Sequence, residues 1–334
     1  MARKLPMNRA ISEAIAQEME RDPSVFVMGE DVGKYGGIFG ATTGLFDKFG
    51  PERIKDTPIS ESAFFGGALG AASKGMRPIA ELMFVDFFGV AMDQIYNHIA
   101  KVHYMSNGNV KLPIVITTGI GGGYSDAAQH SQCLYSIFAH VPGLKVVIPS
   151  NSYDAKGLMI SAIRDDNPVM YFFHKGLLGI GWMPSPEEAA IEVPEEPYSI
   201  PIGQANVVRE GKDITLVSVA KPLYEAKKAA QELKKEGIDI EIIDLRSLVP
   251  LDKKTVIESV KKTGRLMVVD EDYLSYGMSG EIIASVCEEI GDKLKAVPKR
   301  IAFPDVPIPY SRVLEQFTLP DANKIIKACK EMMR

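Results

Sequence analysis

Glu61 stands at the start of a helix-forming run, in Asp56-Thr57-Pro58-Ile59-Ser60-Glu61 followed by the small-residue stretch Ser62 to Gly75. Ser60 is a residue type suited to an N-cap, and Glu61 falls in the first turn, where the helix macrodipole favours a carboxylate. Phe64, Phe65 and Phe87 offer an apolar wall whose desolvation raises a carboxyl pKa. The helix start opposes that shift. An acid that holds or shares a proton near neutral pH at this position therefore needs coupling to a bound partner as well as burial. Gly66, Gly67, Ala68, Gly70, Ala71 and Ala72 would let another backbone or a flat ligand approach closely. The plain alternative is a capped helix carrying an ordinary first-turn acid.

Other groups with chemical potential are scattered. His130 lies in Ala127-Ala128-Gln129-His130-Ser131-Gln132, just after the glycine-rich turn Gly119 to Gly123. An imidazole titrating near neutrality can exchange protons with an enolate-like group, although a lone histidine is more often structural. Glu30, in Met28-Gly29-Glu30-Asp31-Val32, follows a strand end, where α/β proteins gather ligands; a solvated carboxylate at a loop start is the bland reading. The stretch Ser161 to Pro168 closes a helix and turns into a strand, leaving carbonyls without intrahelical partners. A hard cation or water could satisfy them. His98 and His103 are off the i, i+4 spacing of a zinc helix, and His140 and His174 have no better setting, so no transition metal is expected. Cys133, Cys287 and Cys329 suggest neither a disulfide framework nor a metal site.

These groups need a scaffold, and the hydrophobic pattern supplies one. Strands are expected at Val25–Gly29, Arg77–Leu82, Ile114–Thr118, Lys145–Ile148 and Val169–Phe173. Helices are expected between them at Asn8–Arg21, Ser62–Lys74, Phe88–Tyr104 and Ser152–Arg164. Such alternation implies an α/β fold with a largely parallel sheet flanked by helices. A Gly-, Pro- and Glu-rich stretch follows, and a second alternation then begins. Its strands are expected at Ile214–Val219, Ile238–Asp244, Arg265–Asp270 and Lys299–Phe303, its helices at Pro222–Glu236, Lys253–Thr263, Ser279–Ile290 and Ala322–Met333. The expected organisation is two domains, 1–185 and 202–334, with a linker at 186–201.

The 334 residues suffice for two cores. A net charge of −5 without a basic run argues against a nucleic-acid surface, and no apolar stretch approaches the roughly 20 residues of a membrane span. The first residues lead into a polar helical pattern rather than an apolar signal core, so a cytoplasmic location is expected. Gly119-Ile120-Gly121-Gly122-Gly123-Tyr124 has Tyr where the third glycine of a dinucleotide fingerprint belongs, which argues against a nicotinamide enzyme, and no P-loop occurs.

Six segments, MGEDVG (28–33), DTPISE (56–61), RPIAELMFVDF (77–87), AAQHSQ (127–132), PGLKVVIPS (142–150) and DAKGLMISAIRDDNP (154–168), share their order and spacing with one family. Together with DLRSLVPLD (244–252), VVDED (268–272) and PDVPIP (304–309), they give a chain that resembles the β subunit of the thiamine-diphosphate-dependent E1 component of 2-oxoacid dehydrogenase complexes. The resemblance implies a transketolase-like pyrimidine-binding domain over 1–185 and a transketolase C-terminal-like domain over 202–334. It implies that Glu61 hydrogen-bonds N1′ of the cofactor, that Phe87 stacks on the aminopyrimidine, and that Glu30 is a second buried glutamate of an acidic path. His130 would be catalytic or substrate-orienting, toward an enolate-like intermediate or the dithiolane of an incoming lipoyl group. A monovalent cation, K⁺, would be held by Ile114, Ala162, Ile163, Asp165 and Asn167. The chain has no Gly-Asp-Gly, the start of the family's Mg²⁺-diphosphate motif, so an α subunit would hold Mg²⁺ and the diphosphate in an α2β2 assembly that serves an E2 lipoyl acyltransferase. The substrate would be acetoin or a 2-oxo acid such as pyruvate, and ELMFVDF (81–87) resembles the version in acetoin dehydrogenase β subunits. One departure is Phe172-Phe173-His174-Lys175-Gly176-Leu177-Leu178-Gly179, where many relatives carry a glutamate and a Leu-Tyr pair. The other reading of the resemblance is a non-catalytic structural or regulatory homologue.

Overall fold

The computed structural model describes residues 3–334. They form two compact units, residues 3–120 with Ile137–Ile202, and Gly121–Ser136 with Gly203–Arg334.

In the first unit a parallel sheet runs in the order Lys145–Val147, Val169–His174, Val115–Ile120, Arg77–Phe84, Val25–Gly29, Ile54–Asp56. Val115–Ile120 and Val169–His174 are buried along their whole length. That is why they read as continuous apolar runs rather than alternating ones: helices cover both faces of a parallel sheet. Met7–Arg21 packs on Ser152–Arg164, and Arg164 donates to the buried Glu18 at 2.6 Å. Residues 186–201 pack in this unit: Glu192–Val193 pairs with Arg3–Lys4, and Tyr198 stacks on Tyr153 with centroids 4.6 Å apart.

The helix expected at Phe88–Tyr104 is broken into a 3₁₀ turn Val85–Ala91, a π-helical turn Gln94–Ile99 and a short α-helix Val102–Met105. Gly89 and Val90 are weak helix formers. The aromatics beside them also take separate partners, Phe87 meeting Phe84 at 5.5 Å and Phe88 meeting Phe138 at 5.4 Å.

The sheet of the second unit runs Lys299–Phe303, Leu266–Tyr273, Ile214–Ser218, Ile240–Asp244, Asn206–Arg209, parallel except for the last pair. Leu216, Ile242, Met267 and Val269 meet Leu223, Leu233 and Ile325 in its core. The Asp252 side chain caps Lys253–Thr263 by accepting from Thr255 N at 3.1 Å, and Gly264, at φ 75°, ends that helix in the left-handed conformation. Both units are therefore α/β with parallel-dominated sheets, as the alternation predicts. Among the described residues no helix is long and apolar enough to cross a membrane.

Candidate active site

Gly29 pairs with Asp56 on one side and Glu81 on the other, so Glu30, Asp56 and Glu81 gather where three neighbouring parallel strands end or pass. The carboxyl ends of strands are where open α/β sheets bind ligands. The helix Glu61–Ser73 starts here too, and Glu61 is only 8% exposed. Ser60 occupies the N-cap position, but its hydroxyl donates to Pro58 O at 3.1 Å instead of capping the helix. The first turn thus has helix N–H groups still able to face a ligand.

Glu30 and Glu61 are close enough to repel. Burial pushes the Glu30 carboxyl above its usual range, with Glu61 and then Asp31 adding to the shift. Oε1 of Glu30 is buried with no hydrogen-bond partner among the described residues. Phe87, half-buried, sits beside Phe84, which packs edge-on against Phe39 at 5.3 Å. The structure brings Glu30 and Glu61 together in the first unit, which also contains Phe87. It groups His130 elsewhere, in segment 121–136 of the second unit.

Glu81 is a further acid of this site that the sequence motifs do not mark. It is 3% exposed, and burial, then Glu30, pushes its pKa up to about 7. Its Oε1 has no hydrogen-bond partner among the described residues. The signal is a lone carboxylate inside Ile79-Ala80-Glu81-Leu82-Met83, an inner strand of a parallel sheet, buried from Pro78 to Leu82. This acid makes a prediction about pH. Its raised folded pKa means that its contribution to stability is fully present below the ordinary glutamate value near 4.5 and is lost as pH rises through about 7. Glu81→Gln should therefore be more stable than the parent at pH 8, by up to about 3 kcal/mol, with no such advantage at pH 4. Thermal unfolding of both chains across that window checks it, and an equal effect at both pH values would refute it.

The expected cation ligands lie together, with several carbonyls already engaged. Ile114 O accepts from Val169 N at 2.9 Å and Ala162 O from Asp165 N at 3.3 Å. The Arg77 guanidinium donates to Ile163 O at 3.0 Å and Asp165 O at 3.1 Å. The Asp165 carboxylate pairs with Lys145 and accepts from Asn167 N and Nδ2 at 2.9 and 3.0 Å. Burial opposes ionisation of Asp165, but Lys145 and Asn167 hold its pKa below the usual range. Arg77 thus brings positive charge to this helix C-terminus, a part the sequence did not suggest. In the divergent stretch, His174 is fully buried with Nδ1 accepting from Gly176 N at 3.0 Å, and the buried Lys175 lies 5.3 Å from the Phe84 ring centroid.

Comparison with known proteins gives the family of the chain. The family model "Transketolase, pyrimidine binding domain" matches residues 3–180, and "Transketolase, C-terminal domain" matches 203–325. The acetoin:2,6-dichlorophenolindophenol oxidoreductase subunit beta of Cupriavidus necator is 48% identical, with 100% of this chain and 99% of that protein covered. The 2-oxoisovalerate dehydrogenase subunit beta of Bacillus subtilis is 44% identical over 97% of each chain. The mitochondrial pyruvate dehydrogenase E1 component subunit beta-2 of Oryza sativa is 44% identical over 98% of this chain and 86% of that one. A solved split gene transketolase, an inactive beta4 tetramer, shares the fold at a TM-score of 0.76 and 24% identity, covering 98% of both chains. With both transketolase domains in order and such identity along its whole length, the chain belongs to the family of E1 β subunits of acetoin and 2-oxoacid dehydrogenases.

Proposed function

We propose that this chain is the β subunit of a thiamine-diphosphate-dependent E1 enzyme that cleaves acetoin or a 2-oxo acid such as pyruvate and reductively acylates lipoamide on E2. The observation that carries the reading is the pairing of a nearly buried first-turn Glu61 with Glu30, whose carboxyl is raised by burial and by Glu61 itself. A carboxyl held above its usual range beside a second, nearly buried carboxylate suits a ligand nitrogen that must gain and lose a proton.

The residues fit the cofactor. Glu30 leaves a buried oxygen without a hydrogen-bond partner among the described residues, the Glu61 helix is rich in small residues, and the half-buried Phe87 can offer a flat face. When bound, thiamine diphosphate supplies an acidic thiazolium C–H whose loss depends on the protonation of its aminopyrimidine. Glu61 would hold the proton at N1′, Glu30 would limit negative charge beside it, and Phe87 would orient the ring. His130 would move a proton later, at the acyl-transfer stage. The diphosphate and Mg²⁺ fall to an α subunit, because this chain lacks Gly-Asp-Gly. An α2β2 enzyme in the cytoplasm follows from the same reading. K⁺ at Ile114, Ala162, Ile163, Asp165 and Asn167 would use, at the first four, the second lone pairs of carbonyls that already accept one hydrogen bond.

The test is the co-expressed α–β pair, assayed with acetoin, pyruvate and branched 2-oxo acids, using lipoamide and 2,6-dichlorophenolindophenol as acceptors. Turnover is expected with acetoin or pyruvate. A pair that assembles yet turns over none of them would leave the non-catalytic homologue as the better reading.

A further inference from the structure

The segment 121–136 is flanked in sequence by the first unit, yet it packs in the second, and the groups that hold it there come largely from one strand end. Four consecutive residues of Leu266–Tyr273 bind it. Glu271 Oε1 accepts from Gly122 N at 2.8 Å, Tyr273 donates to Gln132 Oε1 at 3.1 Å, Tyr135 donates its hydroxyl hydrogen to Asp270, and Ser136 N donates to Asp272 at 3.3 Å. A fifth group, the fully buried Glu315, accepts from Gly123 N at 2.7 Å with one oxygen and from Ser125 N at 2.9 Å with the other.

We propose that Glu271, Tyr273 and Glu315 are positioning residues that hold the His130 segment in its working conformation. The proposal rests on the reading of His130 as a group that acts in the reaction.

Three observations support it. The carboxyl ends of parallel strands usually face a ligand crevice, and here that end of Leu266–Tyr273 is given over to this segment. The segment needs holding, because Ser125 at φ 62° and Ala127 at φ 58° are left-handed without being glycine, a conformation that persists only when its surroundings impose it. Finally, burying several carboxylates is unfavourable unless their hydrogen bonds are met, and backbone N–H groups of the segment meet those of Glu271 and Glu315. The neighbouring Asp270 and Asp272 carry the same strain: burial, then Asp272, pushes Asp270 up to about 7, and burial pushes Asp272 up to about 6.

Glu315→Gln isolates the effect. Both oxygens of Glu315 accept N–H groups, and an amide can accept only one of them, leaving its NH₂ facing the other donor. In the assembled α–β enzyme, exchange of the cofactor C2 proton should stay within about twofold of the parent, because it depends on Glu61. Turnover with lipoamide should fall about 10–100-fold, the scale of a displaced active-site group. Amide hydrogen exchange at Gly123 and Ser125 should rise about tenfold or more on the same scale of lost order. A double-mutant cycle with His130→Ala decides the interpretation. A positioning role predicts that Glu315→Gln has no further effect on turnover once His130 is gone. If His130→Ala impairs turnover and the two losses multiply instead, the positioning proposal is overturned while the reading of His130 stands. If His130→Ala turns over like the parent, that reading falls and the proposal falls with it. Should Glu315→Gln fail to assemble, Tyr273→Phe, which removes only the hydroxyl that binds Gln132, carries the same cycle.

Discussion

Exchange of the C2 proton of bound thiamine diphosphate is expected to fall about 10²–10⁴-fold when Glu61 is replaced by Gln in the α–β complex. The amide matches the carboxyl in shape but can neither hold nor release the proton that the aminopyrimidine requires. Folding should survive. Losing a first-turn carboxylate forfeits about 0.3–1 kcal/mol of macrodipole interaction, and relief of repulsion with Glu30 offsets it. The same substitution has a second readout independent of turnover. Burial is the largest cause of the raised Glu30 pKa and Glu61 the next, so the Glu30 carboxyl should titrate lower in Glu61→Gln, visible by carbon-detected NMR of the isolated chain. Unchanged C2 exchange would remove Glu61 from its assigned role, whatever the Glu30 titration shows.

Thiamine diphosphate should bind the isolated β chain at least about 10²-fold more weakly than the α–β pair with Mg²⁺, near the upper end of ordinary coupling between sites. The physical reason is charge. The acidic cluster of Glu30, Glu61 and Glu81 can serve the aminopyrimidine but offers nothing to a diphosphate, and the chain has no Gly-Asp-Gly with which to hold the neutralising metal. Linkage then requires the cofactor to tighten α–β association by the same factor. Calorimetric titration of the β chain alone, and of the mixture, measures both sides of this cycle. Tight, Mg²⁺-dependent binding by the isolated chain would mean that a diphosphate site exists within it, and the heteromeric reading would have to be given up.

How far the sequence led differs from element to element. Val115–Ile120 and Val169–His174 were legible because strands buried on both faces must be apolar throughout, and Lys253–Thr263 was legible because Asp252 and Gly264 mark its ends. The helix expected at Phe88–Tyr104 does not form as one piece, since its apolar spacing suits a helix while Gly89 and the separate aromatic partners of Phe87 and Phe88 break it. The edge strand Asn206–Arg209 carried too little hydrophobic pattern to be seen, because only one of its sides is paired.

The site divides in the same way. The sequence alone determined the α/β class, the order of two domains, the family, and the candidates Glu30, Glu61, Phe87 and His130, because local period and motif spacing are written into consecutive residues. Tertiary structure decided what neighbours what. Strand register set Glu81 beside Gly29, buried and within electrostatic reach of Glu30, and Arg77 was carried to the carbonyls of Ile163 and Asp165, 86 and 88 residues away. Four consecutive residues at one strand end, with Glu315 some forty positions later, came to hold the segment that bears His130. Such pairings depend on the register and packing of distant chain segments, and burial then turns ordinary carboxylates into groups that titrate near neutrality.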